Sequence, residues 1–150
     1  ISRGLVGSEM CIRDSLIISG AGALKQILID SGVSNYIGSL LEGSLVSPLI
    51  LAWLIATVIR VCVGSATVAG LTAAGIVLPL ISNSDVSPEL MVLAIGSGSL
   101  MLSHVNDAGF WLFKEYFNLT VKETLSTWTI METIVGITGL IGVLILNIFI

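Results

Sequence analysis

Val61 to Ser84 reads VCVGSATVAGLTAAGIVLPLISNS, and it contains no Asp, Glu, Lys or Arg. Ser44 to Ile59, just before it, and Thr133 to Ile150, at the end of the chain, are equally free of charge. Each run approaches or exceeds the ~20 residues that cross a hydrocarbon core at about 1.5 Å of rise per residue. Helices buried inside a large soluble enzyme are the alternative, but three such runs in 150 residues favour lipid as the solvent.

The composition agrees. Hydrophobic residues make up 55% of the chain and charged residues 11%, with a mean hydropathy of +1.05, whereas an ordinary soluble domain carries roughly 25% charge. So few charges could not cover a water-soluble globule, and a body solvated by lipid has no such need. The net charge is −4 and the pI about 4.7, so there is no basic patch for nucleic acid or for an acidic membrane surface. Cys11 and Cys62 support neither a disulfide framework nor a thiolate metal site, and Cys62, inside an apolar run, reads as a small packing residue.

Residues 1–15 are expected to be a scar rather than native protein. Leu5 to Ser15, LVGSEMCIRDS, can be written as CTC GTG GGC TCG GAG ATG TGT ATA AGA GAC AGY, which looks like a transposase sequencing adaptor read in frame. A signal peptide is the competing idea, but Glu9, Arg13 and Asp14 interrupt any apolar h-region. Residues 16–150 are therefore read as a native segment truncated at its N-terminus, with the chain continuing upstream of Leu16.

Along that segment, Leu16 to Ile29 reads as part of a helix, Asp30-Ser31-Gly32 as a break, and Tyr36 to Leu41 as a short amphipathic stretch near the interface. Ser47-Pro48 and Ser87-Pro88 each predict a helix start, with serine as cap and proline at the first helical position. The first helix runs to about Cys62 and is followed by the small-residue stretch Gly64 to Gly70, then by apolar sequence to Ile81. Asn83-Ser84-Asp85 is a turn. The second helix meets SHVNDAGFW, Ser103 to Trp111, where polar residues interrupt a membrane-compatible sequence and a broken helix is expected.

Phe110 to Phe117 resumes the helix at a membrane boundary, with Trp111, Lys114 and Tyr116 suited to it. Asn118 to Thr124 is a polar connection, and Ile134 to Ile150 is the clearest span. Gly136, Gly139 and Gly142 recur every third residue there, a small face for close helix packing. The fold class is all-α: a polytopic membrane protein fragment with a candidate re-entrant hairpin and a broken transmembrane helix.

Polar groups at membrane depth are costly unless they line a cavity or find partners, so the two interruptions are where function is sought. Gly64, Ser65, Ala66 and Thr67 form a candidate hairpin tip with two hydroxyls and close backbone approach; small residues equally suit ordinary tight helix packing. Arg60, on an apolar helix just before the tip, can pair with a carboxylate substrate or with an internal acid such as Asp107, or can snorkel to water. His104, Asn106 and Asp107 are the densest polar cluster within a span. His104 or Asp107 can serve as the titratable group of a proton-coupled mechanism, and the alternative is a loop with Asp107 capping the next helix.

Lys25 and Glu132 lie near probable interfaces and tell less, and Trp53 and Trp128 read as packing or belt residues. No metal spacing, nucleophile elbow or phosphate loop is present, which counts against an enzyme. His104 with Ser103 or Asp107 is the one nucleophile-base candidate for an intramembrane enzyme, and a membrane assembly subunit is a further alternative.

Several stretches together resemble the gluconate permease family of proton symporters: GAGALKQILIDSG, SPLILAWLIATVIRVCVGSATVAGLTAAGIVLPL, VSPELMVLAIGSGS, and SHVND followed by GFWLFKEYFNL. The likeness covers nearly all of residues 16–150. It implies proton-coupled uptake of gluconate or a related sugar acid, with relatives carrying other hydroxy or amino acids, by a multi-pass protein of the bacterial inner membrane. It implies two inverted repeats, each with a hairpin and a broken helix, of which residues 16–150 would be the C-terminal one. The expected partners are a small carboxylate, the lipid bilayer, the missing N-terminal part of the chain and a homodimer mate; the proton is the coupling ion and no cofactor or metal is expected. Gly64, Ser65, Thr67, Ser103 and Asn106 are then the expected substrate ligands, Asp107 and His104 the proton-coupling groups, and Arg60 their charge partner. The family usually has proline where this chain has Ala108 and glycine where it has Ala21, and the first departure would soften the restart of the broken helix.

Overall fold

The computed structural model describes residues 47–82 and 86–149, the side chains of residues 79–82 excepted, with residues 16, 19–20, 23, 26–27 and 30–32. The readings of residues 1–15, of Lys25, of Tyr36 to Leu41 and of Asn83 to Asp85 lie outside the described residues. The positions described between Leu16 and Asp30 are helical, and the backbone turns at Ser31–Gly32, with Gly32 at φ +73°, where the break is expected.

Five helices follow: α1 (Pro48–Val63), α2 (Ala66–Ser82), α3 (Pro88–Gly98), α4 (Ala108–Tyr116) and α5 (Val121–Phe149). No strand occurs among the described residues. Pro48 and Pro88 open α1 and α3, since proline lacks only an N–H that a helix start leaves unpaired. The expected serine caps are not made. Neither Ser47 nor Ser87 accepts a bond from its helix, and Ser87 Oγ donates to the Glu89 carboxylate instead.

The polar connection expected to run to Thr124 ends earlier, because a capping box at Thr120 and Glu123 starts α5 at Val121. The Thr120 hydroxyl accepts from the Glu123 N–H at 3.3 Å and the Glu123 carboxylate accepts from the Thr120 N–H at 2.8 Å, so two donors of the helix start are satisfied.

α3 lies at the centre, packed on α1, α2 and α5. The core joins Leu49, Ala52 and Ala56 of α1, Ala73 and Val77 of α2, Leu90, Met91, Ala94 and Ile95 of α3, and Val143 of α5. Alanine at so many crossings lets backbones approach, which is what drives association where the surrounding solvent is as apolar as the side chains. A side chain on Gly98 would meet the Ala56 Cβ at 3.0 Å and the Trp53 carbonyl carbon at 3.1 Å. One on Gly136 would meet the Met101 Cγ at 2.9 Å, and one on Gly139 the Ser97 Oγ at 3.5 Å. One on Gly142 would meet no described atom within 4 Å. Two of the three glycines of the expected small face thus pack, and the third opens on an apolar groove of about 520 Å³ between α3 and α5.

α5, with 29 residues, is the one described helix long and apolar enough to cross a membrane, and only 11% of its most apolar window is buried. A core helix of a soluble protein would be mostly buried; here Ile134, Ile137, Ile141 and Ile145 face outward. α1, Ala66–Leu78 and α3 are apolar but fall short of the ~20 residues of a full span. Cys62, expected to pack, is exposed.

Replacing Gly98 with valine is expected to push α1 from α3 and cost about 1–3 kcal/mol, whereas Gly142→Ala should stay within about 0.5 kcal/mol of the parent. Thermal unfolding of the full-length protein in detergent measures both, and equal melting of the two variants would disprove the close crossing.

Candidate functional site

The turn between α1 and α2 is two residues long. Gly64 ends α1 in the left-handed region, φ +76°, where its N–H donates to the Arg60 carbonyl at 2.9 Å; glycine takes this conformation without a Cβ clash. Ser65 then caps α2 by accepting the Val68 N–H at 3.4 Å. The small-residue stretch expected to reach Gly70 is therefore helix from Ala66 onward. Thr67 stands in the first turn of α2, exposed, with its hydroxyl bonded to no described residue.

The break expected over Ser103 to Trp111 is present but begins and ends four residues earlier, at residues 99–107. α3 stops at Gly98, Leu102 takes a left-handed φ of 51°, and α4 restarts at Ala108 without the proline. Asp107 caps α4, its Oδ1 accepting the Gly109 N–H at 2.9 Å.

These two interruptions meet. Arg60, 3% exposed, donates from Nη2 to Asp107 Oδ2 at 2.5 Å, so of its possible fates pairing with the internal acid is the one observed. Asn106 Nδ2 donates to the Val61 carbonyl at 2.8 Å. A side chain on Gly64 would fall 2.7 Å from the Asn106 carbonyl carbon, so the backbone of the break lies directly on the turn. Ser103, buried, donates its hydroxyl to Asp107 and accepts the Trp128 Nε1 proton at 2.7 Å; its carbonyl accepts the Thr129 hydroxyl at 2.5 Å. His104 stands apart, half-buried, donating from Nδ1 to the Leu102 carbonyl at 2.7 Å.

Trp128 and Thr129 were not singled out as polar partners by their sequence, yet they hold the break. They do so because residues Leu125–Thr129 of α5 form a π-turn, a widening that re-aims side chains. The signal is the hydroxyl run ahead of them: Ser126 and Thr127 both donate to the Glu123 carbonyl, at 3.0 and 2.7 Å, and so compete with the helix ladder. Trp128 is also stacked on Phe113 of α4, ring centroids 4.8 Å apart. Glu132, one turn further along α5, is half-buried, with its carboxyl bonded to no described residue.

Arg60 Nε and Nη1 are buried and have no partner among the described residues. Buried donors are nearly always satisfied, and those of a cation cost most when they are not. The arrangement is thus a buried cationic group with two unanswered donor atoms, walled by two helix interruptions.

Residues 10–149 match the family model described as GntP family permease. The chain is 60% identical over 132 residues to a high-affinity gluconate transporter of Escherichia coli (strain K12), covering 88% of this chain and 30% of that protein. It is 59% identical over 131 residues to the Gnt-II system L-idonate transporter of the same organism, covering 87% and 30%. It is 56% identical over 132 residues to a gluconate permease of Bacillus subtilis (strain 168), covering 88% and 30%. The chain therefore spans about 30% of the length of these relatives. No solved structure matches it significantly.

Arg60→Met, which strands Asp107, is expected to destabilise the full-length protein by about 3–5 kcal/mol, and the double variant Arg60→Met/Asp107→Asn to recover part of that loss. A double-mutant cycle by thermal unfolding reads the coupling, and strict additivity would show that the pair contributes nothing.

Proposed function

The chain belongs to the GntP family of permeases, and from that premise we propose that it forms the anion-binding centre of a proton-coupled sugar-acid symporter. The observation that carries this reading is the buried Arg60 guanidinium, with two unanswered donors where the α1–α2 turn meets the break before α4. A family of permeases gives no footing to the intramembrane enzyme or the assembly subunit.

The substrate carboxylate accepts from Arg60 Nε and Nη1 and lies toward the N-terminus of α2, where free N–H groups and the helix dipole favour negative charge. The hydroxyls of Ser65 and Thr67 and the Asn106 amide are the groups that meet the polyhydroxy chain, and the Ser103 hydroxyl, taken by Asp107 and Trp128, holds the break beneath them. Gluconate is the first substrate to test, because two of the relatives carry it in their names and a third names L-idonate, another sugar acid. A relative carrying a different hydroxy or amino acid is the second reading within the same site.

In this account α1 and α2, each shorter than a span, form a re-entrant hairpin whose turn lies within the bilayer of a bacterial inner membrane. The other half of the site comes from an upstream repeat of a multi-pass chain, and the protein works as a homodimer. Asp107 and His104 are the titratable groups of the break, and the proton is the ion that drives uptake.

Labelled gluconate taken up by vesicles carrying the full-length permease should accumulate when a pH gradient is imposed; uptake indifferent to the gradient would reject proton coupling. Thr67→Val and Asn106→Ala are each expected to raise the apparent KM for gluconate by about 10-fold or more, the worth of a hydrogen bond to a charged or bound group. An unchanged KM would remove that residue from the site.

A further inference from the structure

We propose that Glu132 carries the coupling proton, and that its charge opposes binding of the substrate carboxylate at Arg60 until that proton is taken up. The proposal rests on the symporter reading above and deepens it.

The geometry starts from the face of α5 turned toward α1 and α3. On that face the Thr129 hydroxyl reaches the Ser103 carbonyl, and the Gly136 carbonyl accepts the Trp53 Nε1 proton at 3.2 Å. Glu132 is three residues after the first contact and four before the second, so it shares their stripe. On α1, Trp53 and Arg60 are likewise two turns apart on one stripe, and Arg60 reaches the break beside Ser103. Glu132 therefore lies between the level of Trp53 and the level of Arg60, half-buried, with its carboxyl bonded to no described residue.

Among the described residues the charged groups around it are few. α1 offers Arg60, and the break offers Asp107 and His104, the latter tied to the Leu102 carbonyl. α2 carries no charged residue, and α3 carries only Glu89, in its first turn at the end away from the break. On α4, Lys114 and Glu115 pair with each other at 2.8 Å. On α5 itself, Glu123 is bound to Thr120, and Lys122 lies three turns away near the start of the helix.

Asp107 is poorly placed to exchange a proton. Its Oδ2 receives the Arg60 guanidinium and the Ser103 hydroxyl, and its Oδ1 receives the Gly109 N–H. Oδ2 has both lone pairs engaged, and a proton on Oδ1, though it would displace no donor, would cancel the charge that holds the Arg60 guanidinium. Glu132 can gain and lose a proton without breaking any of these bonds.

The charge count supplies the coupling. With Glu132 ionised, Arg60, Asp107 and Glu132 sum to −1, and an incoming carboxylate is repelled. A proton taken from water on one side and bound by a Glu132 carboxylate oxygen brings the sum to zero, and the anion can then be received by Arg60 Nε and Nη1. Each ligand then favours the other by the same factor, as linkage requires. On the opposite side the anion leaves, and the proton passes from Glu132 to water.

The test uses the full-length permease in proteoliposomes with labelled gluconate. Glu132→Gln, which imitates the protonated carboxyl, is expected to keep gluconate–gluconate counterflow within about twofold of the parent while uphill accumulation falls to the equilibrium level. Glu132→Asp is expected to accumulate gluconate with a displaced pH profile, and it decides the matter if the glutamine variant does not fold. Accumulation by Glu132→Gln equal to that of a gradient-dependent parent, or an unchanged pH profile in Glu132→Asp, overturns the role of Glu132 and leaves the symporter reading standing. A parent indifferent to the gradient removes both.

Discussion

A guanidinium that is 3% exposed on an apolar helix persists only beside a counter-ion, and the rest of the centre is arranged around the one that Arg60 finds in Asp107. Removing both charges from water is expensive, and the attraction repays it only when the remaining lone pairs and protons are also engaged. The carboxylate meets that condition: it binds Arg60 of α1, caps α4 through Gly109, and takes the hydroxyl of Ser103, which Trp128 of α5 holds from the other side. Three helices are thus tied to one side chain. The guanidinium does not meet it, and that imbalance is where the site departs from a purely structural ion pair.

The broad class was legible because it depends on local quantities. Runs without charge, prolines at helix starts and the glycine after Val63 act within a few residues of themselves, and the helices begin and turn where those signals stand. The pairing of Arg60 with Asp107, 47 residues apart, could be offered only as one option among three, since nothing in spacing alone excludes a snorkelling arginine. The serines before Pro48 and Pro88 misled, because capping is a choice of rotamer: Ser87 takes the nearby carboxylate instead of the helix N–H groups. Trp128 could be read only as a packing or belt residue and Glu132 only as one near an interface, and of the two options for Trp128 packing is the one observed. Their true surroundings come from a widened turn and from the packing of α5 on α3, neither of which is a property of single residues.

Packing shows the same division of labour. Where α3 crosses α1 and α5 the contact is made by glycine, alanine and serine, so helix backbones approach closely and the positions of the polar groups are fixed by main chain rather than by long side chains. Many large apolar residues are turned outward, along α5 above all, where lipid or another part of the permease would meet them. Close crossings of small residues under an apolar coat suit a centre whose ligands must hold their geometry without water.

The missing side chain of Gly64 has a mechanical meaning. With the Asn106 main chain filling that space and the Asn106 amide hooked to the Val61 carbonyl, the bend and the gap are a single keyed joint. Neither can slide without the other, so cargo held there would ride in one moving cradle rather than be passed between two independent jaws.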